Sequence, residues 1–177
     1  MERCLSKLNT LITSEQIETK IAELAARIRE DYHDRNPVLV GVLKGSFVFL
    51  ADIVRVLDIP LGIDFIGVSS YRGRMESSGE IELIQALRTP IAGRDVLVIE
   101  DIVDTGLSLN YVLNVLRQKT PASVKVCALL DKPSKRKITV PIDYSGFTVP
   151  DKFVVGYGLD FDEQYRYLSH ICYLEEK

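Results

Sequence analysis

Cysteine and histidine, the side chains that most often bind zinc or form catalytic dyads, are scarce in this sequence. Cysteine occurs only at Cys4, Cys127 and Cys172, and histidine only at His33 and His170. The cysteines are odd in number and far apart, without a Cys-x-x-Cys pair, so we expect reduced thiols rather than a disulfide framework or a zinc site. Two isolated histidines argue against a serine–histidine triad and against a histidine-rich metal centre.

Excess charge and long apolar runs are also missing. The 22 basic and 25 acidic residues leave a net charge of -3, so no general nucleic-acid-binding surface is indicated. The basic run from Lys132 to Lys137 is interrupted by Pro133 and Ser134, which is typical of a solvated loop. No apolar stretch is long enough to span a bilayer, and the N-terminus lacks the apolar centre of a signal peptide. We therefore expect a cytoplasmic protein without membrane or nucleic-acid partners.

The apolar residues that are present predict alternating strands and helices. Short apolar runs, typical of strands buried on both faces of a parallel sheet, alternate with segments of helical spacing. The predicted strands are Val38–Leu43, Leu61–Val68, Glu80–Leu87, Val96–Ile99, Val124–Leu130, Tyr144–Val149 and Ile171–Leu174; the predicted helices are Thr13 to about Asp31, Phe47–Leu57 and one from about Ser108, with a short helix or turn at Asp162–Leu168. In a chain of 177 residues this pattern predicts a single α/β domain with a mostly parallel sheet.

The most informative stretch covers residues 96–108, where an apolar strand leads into an acidic loop and a hydroxyl-rich turn. Glu100 and Asp101 follow the strand, Asp104 comes next, and Thr-Gly-Leu-Ser begins the helix. Backbone N–H groups, two hydroxyls and a helix N-terminus suit a phosphate dianion, and Gly106 permits its close approach. Adjacent carboxylates suit ribose hydroxyls or a Mg²⁺ ion held partly through water. The stretch therefore predicts a site for a phosphorylated sugar.

Three other predicted strands also end in polar residues. Lys44-Gly45 follows the strand at 38–43, Asp131-Lys132 follows the strand at 124–130, and Ser69-Ser70-Tyr71 follows the strand at 61–68. Ligands of open α/β sheets bind beyond the carboxyl ends of the strands. We therefore expect these residues to gather with the carboxylates of residues 100–104 at one edge of the sheet.

The stretch at 96–108 resembles the phosphoribosyl pyrophosphate (PRPP) motif of the phosphoribosyltransferases, and no Walker A loop competes with it. Segments 42–45, 70–71, 100–108 and 150–160 extend the resemblance and make it nearest to the hypoxanthine-guanine phosphoribosyltransferases of purine salvage. That family has a type I fold, a mostly parallel twisted sheet flanked by helices with a small hood from the terminal segments. The resemblance implies one domain over residues 1–177, with a core at about 36–148 and a hood from about 1–12 and 149–177.

The resemblance also implies a reaction, in which a 6-oxopurine displaces pyrophosphate from PRPP to give a nucleoside 5′-monophosphate. Asp104 would be the catalytic base that takes the proton from purine N7. The implied PRPP and phosphate ligands are Glu100, Asp101, Asp104, Thr105, Gly106, Leu107 and Ser108; the implied pyrophosphate ligands are Lys44, Gly45 and Arg166; the implied purine ligands are Lys132, Phe153, Val154 and Asp160. Serine at position 108 departs from the commoner threonine but keeps the hydroxyl, and position 107 varies in the family.

Individual roles follow from the same resemblance. Lys132 would donate to the 6-oxo group, Phe153 would stack on the purine, and Val154 would read the purine edge through its backbone. Glu100 and Asp101 would face the ribose hydroxyls and one Mg²⁺, and Asp160 would help to hold a second Mg²⁺. The family has a non-proline cis peptide at the position of Leu43–Lys44, and it implies a homodimer or homotetramer.

Displacement of pyrophosphate from C1′ builds positive charge on the ribose ring. Water would compete with the purine for this ribosyl cation, so a closing lid is expected. The polar loop from Ser70 to Gly79 is the candidate, with Ser70 and Tyr71 brought over the reacting centre. The alternative is an ordinary hairpin loop between the strands on either side.

Two other functions remain open at this point. A nucleotide-sensing regulator with the same fold would be favoured by a basic face or a DNA-binding segment, and the sequence shows neither. The other is a transferase for another base, such as xanthine or a pyrimidine, although the Phe153-Val154 segment and Lys132 argue for a 6-oxopurine. The preference between hypoxanthine and guanine depends on a backbone acceptor near Asp160 that sequence cannot place.

Overall fold

The computed structural model describes residues 8–70 and 81–175. Within these residues the chain forms nine strands, three α-helices and a short 3-10 helix. The strands are β1 (Leu8–Ile12), β2 (Val38–Leu43), β3 (Gly62–Ser70), β4 (Ile81–Gln85), β5 (Asp95–Val103), β6 (Ser123–Asp131), β7 (Tyr144–Thr148), β8 (Val154–Val155) and β9 (Ile171–Leu174). The helices are α1 (Ser14–Tyr32), α2 (Phe47–Leu57) and α3 (Leu107–Arg117), with the 3-10 turn at Pro133–Lys135.

The central sheet has six strands in the order β4-β3-β2-β5-β6-β7. All neighbours pair in parallel except β4, which pairs antiparallel with β3. Alternate residues along the strands face opposite sides: Leu39 and Leu97 pack with α1 and α2, whereas Val40 and Val98 pack with α3. The predicted α/β class, with a mostly parallel sheet between helices, is confirmed.

A second, three-stranded sheet lies outside the central one, in the order β1-β9-β8, with both pairs antiparallel. Sequence patterns predicted β9 but not β1. We propose that this sheet is the hood expected from the family resemblance, because its strands come from residues 8–12 and 154–174.

Strand β5 is longer than predicted, and this changes the setting of the carboxylates. The apolar run ends at Ile99, but pairing with β6 continues through Glu100↔Ala128, Ile102↔Leu130 and Val103↔Asp131. The prediction that Glu100 and Asp101 lie in an acidic loop is therefore wrong, because both are strand residues. The ladder to β6 holds the backbone of β5 extended beyond its last apolar side chain.

The segment at 162–168 forms turns rather than a helix. Asp162, Glu163 and Tyr165 have φ values of 52°, 60° and 74°, which an α-helix does not accommodate. Of the two predicted alternatives, the turn is the observed one.

Candidate active site

The carboxyl ends of β2, β5 and β6 meet at one edge of the sheet. Lys132 after β6 places Nζ 3.9 Å from Oδ2 of Asp104 after β5. The carboxylate of Asp101 lies directly against Gly45 after β2, since a Cβ at position 45 would fall 1.7 Å from Asp101 Oδ2. The structure thus brings together the predicted residues from three separate strands.

A small cavity of about 100 Å³ lies between the end of β5 and the start of α3. Its lining consists of Glu100, Ile102, Val103, Asp104, Thr105, Gly106, Ser108 and Leu109. Gly106 caps α3 with a φ of 82°, and a Cβ there would lie 2.5 Å from the Ile138 carbonyl. The Leu107 N–H donates to Thr105 Oγ1 at 3.3 Å. Hydroxyls, a glycine turn and the positive end of a helix make this cavity suitable for a phosphate.

Glu100 and Asp101 are buried but serve different sides of β5, because successive strand residues point in opposite directions. Glu100 lines the small cavity, whereas Asp101 faces Gly45. Burial, helped by the neighbouring Asp101, raises the pKa of Glu100 well above its usual value. Burial also raises the pKa of Asp101 to about 6, although the Ile102 amide and the Arg166 charge oppose this. Such carboxylates favour a cation or a hydroxyl donor.

The buried oxygen Oε2 of Glu100 has no hydrogen-bond partner in the described residues. An unpaired buried acceptor of this kind is rare unless a ligand satisfies it. No three histidine, cysteine, aspartate or glutamate side chains cluster as a metal site within residues 8–70 and 81–175. Any divalent ion here would therefore take part of its coordination shell from substrate oxygens and water, as Mg²⁺ commonly does.

A larger cavity of about 560 Å³ opens on the other side of Asp104. It is lined by Asp104, Lys132, Lys135, Asp151, Lys152, Phe153, Tyr173, Leu174 and Glu175. Lys132 is only 6% exposed, and its ammonium donates to the Lys152 carbonyl at 2.8 Å. That one bond leaves two donors of the ammonium for a ligand. The cavity therefore offers a buried cation and an aromatic face to a flat polar ring.

Phe153 is 47% exposed and presents its ring to the larger cavity. The ring of Phe161 meets it edge-on, with centroids 5.5 Å apart and an interplanar angle of 85°. Phe161 was not among the predicted site residues, since no period links two aromatics eight positions apart. Val154 is a buried residue of β8 that pairs with Tyr173, and its side chain does not line the cavity.

A cluster of opposite charges surrounds the end of β2. The Leu43–Lys44 peptide bond is cis, as the resemblance implied. Lys44 Nζ lies 2.9 Å from Glu163 Oε1, and Arg166 lies 2.8 Å from Asp160 and 3.2 Å from Glu163. These contacts hold the pKa of Glu163 below its usual value. Lys44 and Arg166 therefore share one carboxylate, so the structure brings together the two predicted cations.

Arg136 is a site residue that sequence reasoning missed. The prediction that its basic run is a solvated loop is wrong at this position, because the Arg136 side chain is only 17% exposed. Its guanidinium donates to the carbonyls of Val103 and Asp104 and pairs with Asp131. No periodicity marks a residue whose carbonyl partners lie about thirty positions earlier in the chain.

The predicted lid lies almost wholly outside the described residues. Ser70 is the last residue of β3, and Tyr71 and the loop to Gly79 are beyond the described range. The lid stays a prediction.

Among the described helices, none is long and apolar enough to cross a membrane.

Comparison with known proteins gives one consistent family. A model of the phosphoribosyl transferase domain matches residues 9–162. The hypoxanthine-guanine phosphoribosyltransferase of Bacillus subtilis is 47% identical over 93% of this chain and 92% of its own length. The hypoxanthine phosphoribosyltransferase of Salmonella typhimurium is 42% identical over 93% of each chain. A crystal structure of a hypoxanthine-guanine phosphoribosyltransferase from Bacillus anthracis superposes with a TM-score of 0.90 at 42% identity, covering 96% of this chain and 99% of that one.

Proposed function

Because this chain belongs to the phosphoribosyl transferase domain family, we propose that the two cavities beside Asp104 are the PRPP and purine subsites of one active site. The chain is an enzyme of purine salvage, which transfers the 5-phosphoribosyl group from PRPP to hypoxanthine, guanine or both. The products are IMP or GMP and pyrophosphate. The observation that carries the site assignment is the position of Asp104, which lines both cavities.

Asp104 is suited to receive the proton that the base must lose. Its Oδ1 has no hydrogen-bond partner within the described residues, and Lys132 lies 3.9 Å from Oδ2. In the transfer, the bond from ribose C1′ to the pyrophosphate oxygen breaks and its electron pair leaves with pyrophosphate. Purine N9 forms the new bond to C1′, and the N7 proton passes to Asp104. General-base assistance of this kind requires a carboxylate within hydrogen-bond reach of the ring.

The purine subsite selects by hydrogen-bond polarity. Lys132 can only donate, so it matches the 6-oxo group of hypoxanthine and guanine. Phe153 offers one face for stacking, while the Phe161 ring, nearly perpendicular to it, limits how the Phe153 ring can tilt. The backbone of Val154 and the region of Asp160 are proposed to read the remaining purine edge.

The pyrophosphate subsite is proposed at Lys44, Gly45 and Arg166. Charge that develops on the leaving group needs cations placed in advance. Lys44 and Arg166 lie on either side of Glu163, and pyrophosphate would replace that carboxylate as their partner. At position 45 only glycine fits against Asp101, since a Cβ there would fall 1.7 Å from Asp101 Oδ2.

The donor set of this site fits Mg²⁺. The orphaned Oε2 of Glu100 and the buried carboxylate of Asp101 are hard oxygen ligands that a cation would satisfy, and Asp160 is proposed for a second ion. A bound Mg²⁺ would neutralise charge on PRPP and on the leaving pyrophosphate. Glu100 and Asp101 would also orient the ribose hydroxyls and favour the positive charge that develops on the ribose ring.

Other expectations from the sequence remain proposals. These are a homodimer or homotetramer, a cytoplasmic location and the absence of nucleic-acid partners. Against a nucleotide-sensing regulator, the proposed base Asp104, the buried Lys132 and the anion cavity favour an enzyme.

The proposal is tested by offering bases one at a time to purified protein with PRPP and Mg²⁺. Hypoxanthine, guanine or both should be converted to the nucleotide, whereas adenine and pyrimidines should not. Turnover of none of the 6-oxopurines would contradict the proposed function, and efficient use of xanthine alone would move the assignment to another base. Addition of a chelator to the same assay should abolish nucleotide formation, and added Mg²⁺ should restore it.

We expect Gly106→Ala to weaken PRPP binding, because position 106 has a φ of 82° and a Cβ there would lie 2.5 Å from the Ile138 carbonyl. The turn must move away from Ile138, which displaces the amides that face the phosphate. We expect the KM for PRPP to rise at least about tenfold, since displaced charge-assisted hydrogen bonds are worth roughly 1.5–3 kcal/mol each.

Gly93→Ala is the matched control for this measurement. Gly93 also has a positive φ, 68°, but a Cβ there has no heavy atom within 4 Å. The control should lower stability through backbone strain alone and leave the KM for PRPP unchanged. An equal KM in the two variants would contradict the phosphate assignment.

A further inference from the structure

The loop that carries Asp104 is held from outside the active site by one short segment, residues 136–138. Arg136 Nε donates to the Asp104 carbonyl at 3.0 Å, and its Nη2 donates to the Val103 carbonyl at 3.1 Å. The backbone N–H groups of Lys137 and Ile138 both donate to the Thr105 carbonyl, at 2.9 and 3.1 Å. Three successive carbonyls, 103 to 105, therefore accept from three successive residues, and the Val103 carbonyl also accepts from the Lys132 backbone N–H at 3.0 Å.

The guanidinium of Arg136 is itself anchored. Its Nη2 also pairs with the Asp131 carboxylate, and the two side chains are only 17% and 22% exposed. The aliphatic part of the Arg136 side chain packs under the phosphate turn, since a Cβ on Gly106 would lie 3.1 Å from Arg136 Cδ. Asp131 is the last residue of β6, so the anchor connects the rigid sheet to the backbone of Asp104.

We propose that Arg136 is a positioning residue for the Asp104 carboxylate. By fixing the carbonyls of the two peptide groups that flank the Asp104 Cα, it sets the direction in which the Asp104 side chain leaves the backbone. Asp104 has no partner at Oδ1 in the described residues and lies 3.9 Å from Lys132, so its side-chain contacts hold it weakly. The main chain must therefore determine where the carboxylate meets the purine. This inference depends on the proposed function, in which Asp104 receives the purine proton.

The chemistry of the contact requires arginine rather than a generic cation. A planar guanidinium can donate to two carbonyls and a carboxylate at fixed angles, whereas an ammonium acts as a point charge. Lysine at position 136 could keep the ion pair with Asp131 but not both carbonyl contacts. A misplacement of about 1 Å at a reacting group can cost roughly 10²-fold in rate.

The test compares kcat and the KM for PRPP in Arg136→Ala, Arg136→Lys and Arg29→Ala with hypoxanthine as the acceptor. Arg29 is the matched control, because it donates in the same two-nitrogen manner to the Leu57 and Val56 carbonyls at the far end of α2. We expect Arg136→Ala to lower kcat by about 10- to 100-fold while the KM for PRPP changes less. Arg136→Lys should fall between Arg136→Ala and the unmodified protein, and Arg29→Ala should keep its kcat.

A double-mutant cycle with Asp104→Asn separates positioning from general support of the fold. If Arg136 acts through the Asp104 carboxylate, Arg136→Ala should lower kcat by less than threefold once that carboxylate has become an amide. A loss of the same size in both backgrounds would overturn the proposal, and so would a change confined to the KM for PRPP. If Arg136→Ala does not fold, Arg136→Lys and Asp131→Asn take its place in the same cycle, where a smaller loss beside Asp104→Asn supports the proposal and an equal loss overturns it.

The activities of the unmodified protein and of Arg29→Ala distinguish failure of the positioning role from failure of the proposed function. If neither forms IMP from hypoxanthine or GMP from guanine, the proposed function itself is contradicted. If both form IMP and Arg136→Ala matches them, only the positioning role is contradicted.

Discussion

Replacing Asp104 by asparagine should lower kcat about 10²–10⁴-fold at saturating PRPP and hypoxanthine, the usual contribution of a positioned general base. Asparagine keeps the shape of the side chain and can still accept a hydrogen bond, but it cannot take the N7 proton. Asp104 lines both cavities, so no other described carboxylate has the same access to the purine and to the ribose. The KM for PRPP should change far less than kcat, because the phosphate cavity keeps its other lining residues.

The matched control for this variant is Asp58→Asn. Asp58 ends α2 in the left-handed conformation, which asparagine also tolerates, and it lies outside both cavities. Steady-state kinetics should show normal kcat for the control. A normal kcat in Asp104→Asn would remove Asp104 from the role of base.

The second large effect concerns the choice between oxo and amino purines. The unmodified protein should prefer hypoxanthine to adenine by roughly 10⁴–10⁵ in kcat/KM, the range seen when a buried polar group would be left unpaired by the wrong substrate. Lys132 is buried and donates only, so the 6-amino group of adenine would face a donor. An assay in which hypoxanthine and adenine compete for the same enzyme gives the ratio of their kcat/KM values directly.

Lys132→Gln should reduce this preference by at least about tenfold. A glutamine amide can either donate or accept, so it no longer penalises the amino group. Lys20→Gln, a conversion of the same kind on α1, is the control and should leave the ratio unchanged. Comparable use of adenine and hypoxanthine by the unmodified protein would contradict the assignment of Lys132.

Much of the fold could be predicted from sequence because the central strands are continuous apolar runs. Strand β2 at Val38–Leu43 and helix α2 at Phe47–Leu57 have the predicted bounds. The end of β5 could not be predicted, since Glu100 and Asp101 look like loop residues until the ladder to β6 is known. Strand β1 was missed for a related reason: five residues without a clear pattern become a strand only by pairing with β9.

The residues of the active site could also be predicted from sequence only in part. The residues of the motif at 100–108 are contiguous, so their chemistry could be read from the chain. Arg136 and Phe161 act through tertiary contacts, Arg136 with carbonyls of a distant loop and Phe161 with the ring of Phe153. Such roles leave no trace in spacing or composition. The lid at Ser70 and Tyr71 remains a prediction from the need to exclude water and from the polar loop that follows them.

The central claim is that ribose C1′ passes from pyrophosphate to a 6-oxopurine, and phosphorus NMR of one reaction mixture tests it most directly. With PRPP, Mg²⁺ and limiting hypoxanthine, we expect one IMP and one pyrophosphate to appear for each hypoxanthine consumed, and PRPP loss to stop when the base is exhausted. Continued loss of PRPP to ribose 5-phosphate without consumption of hypoxanthine would contradict it, because the site would then be a hydrolase rather than a transferase.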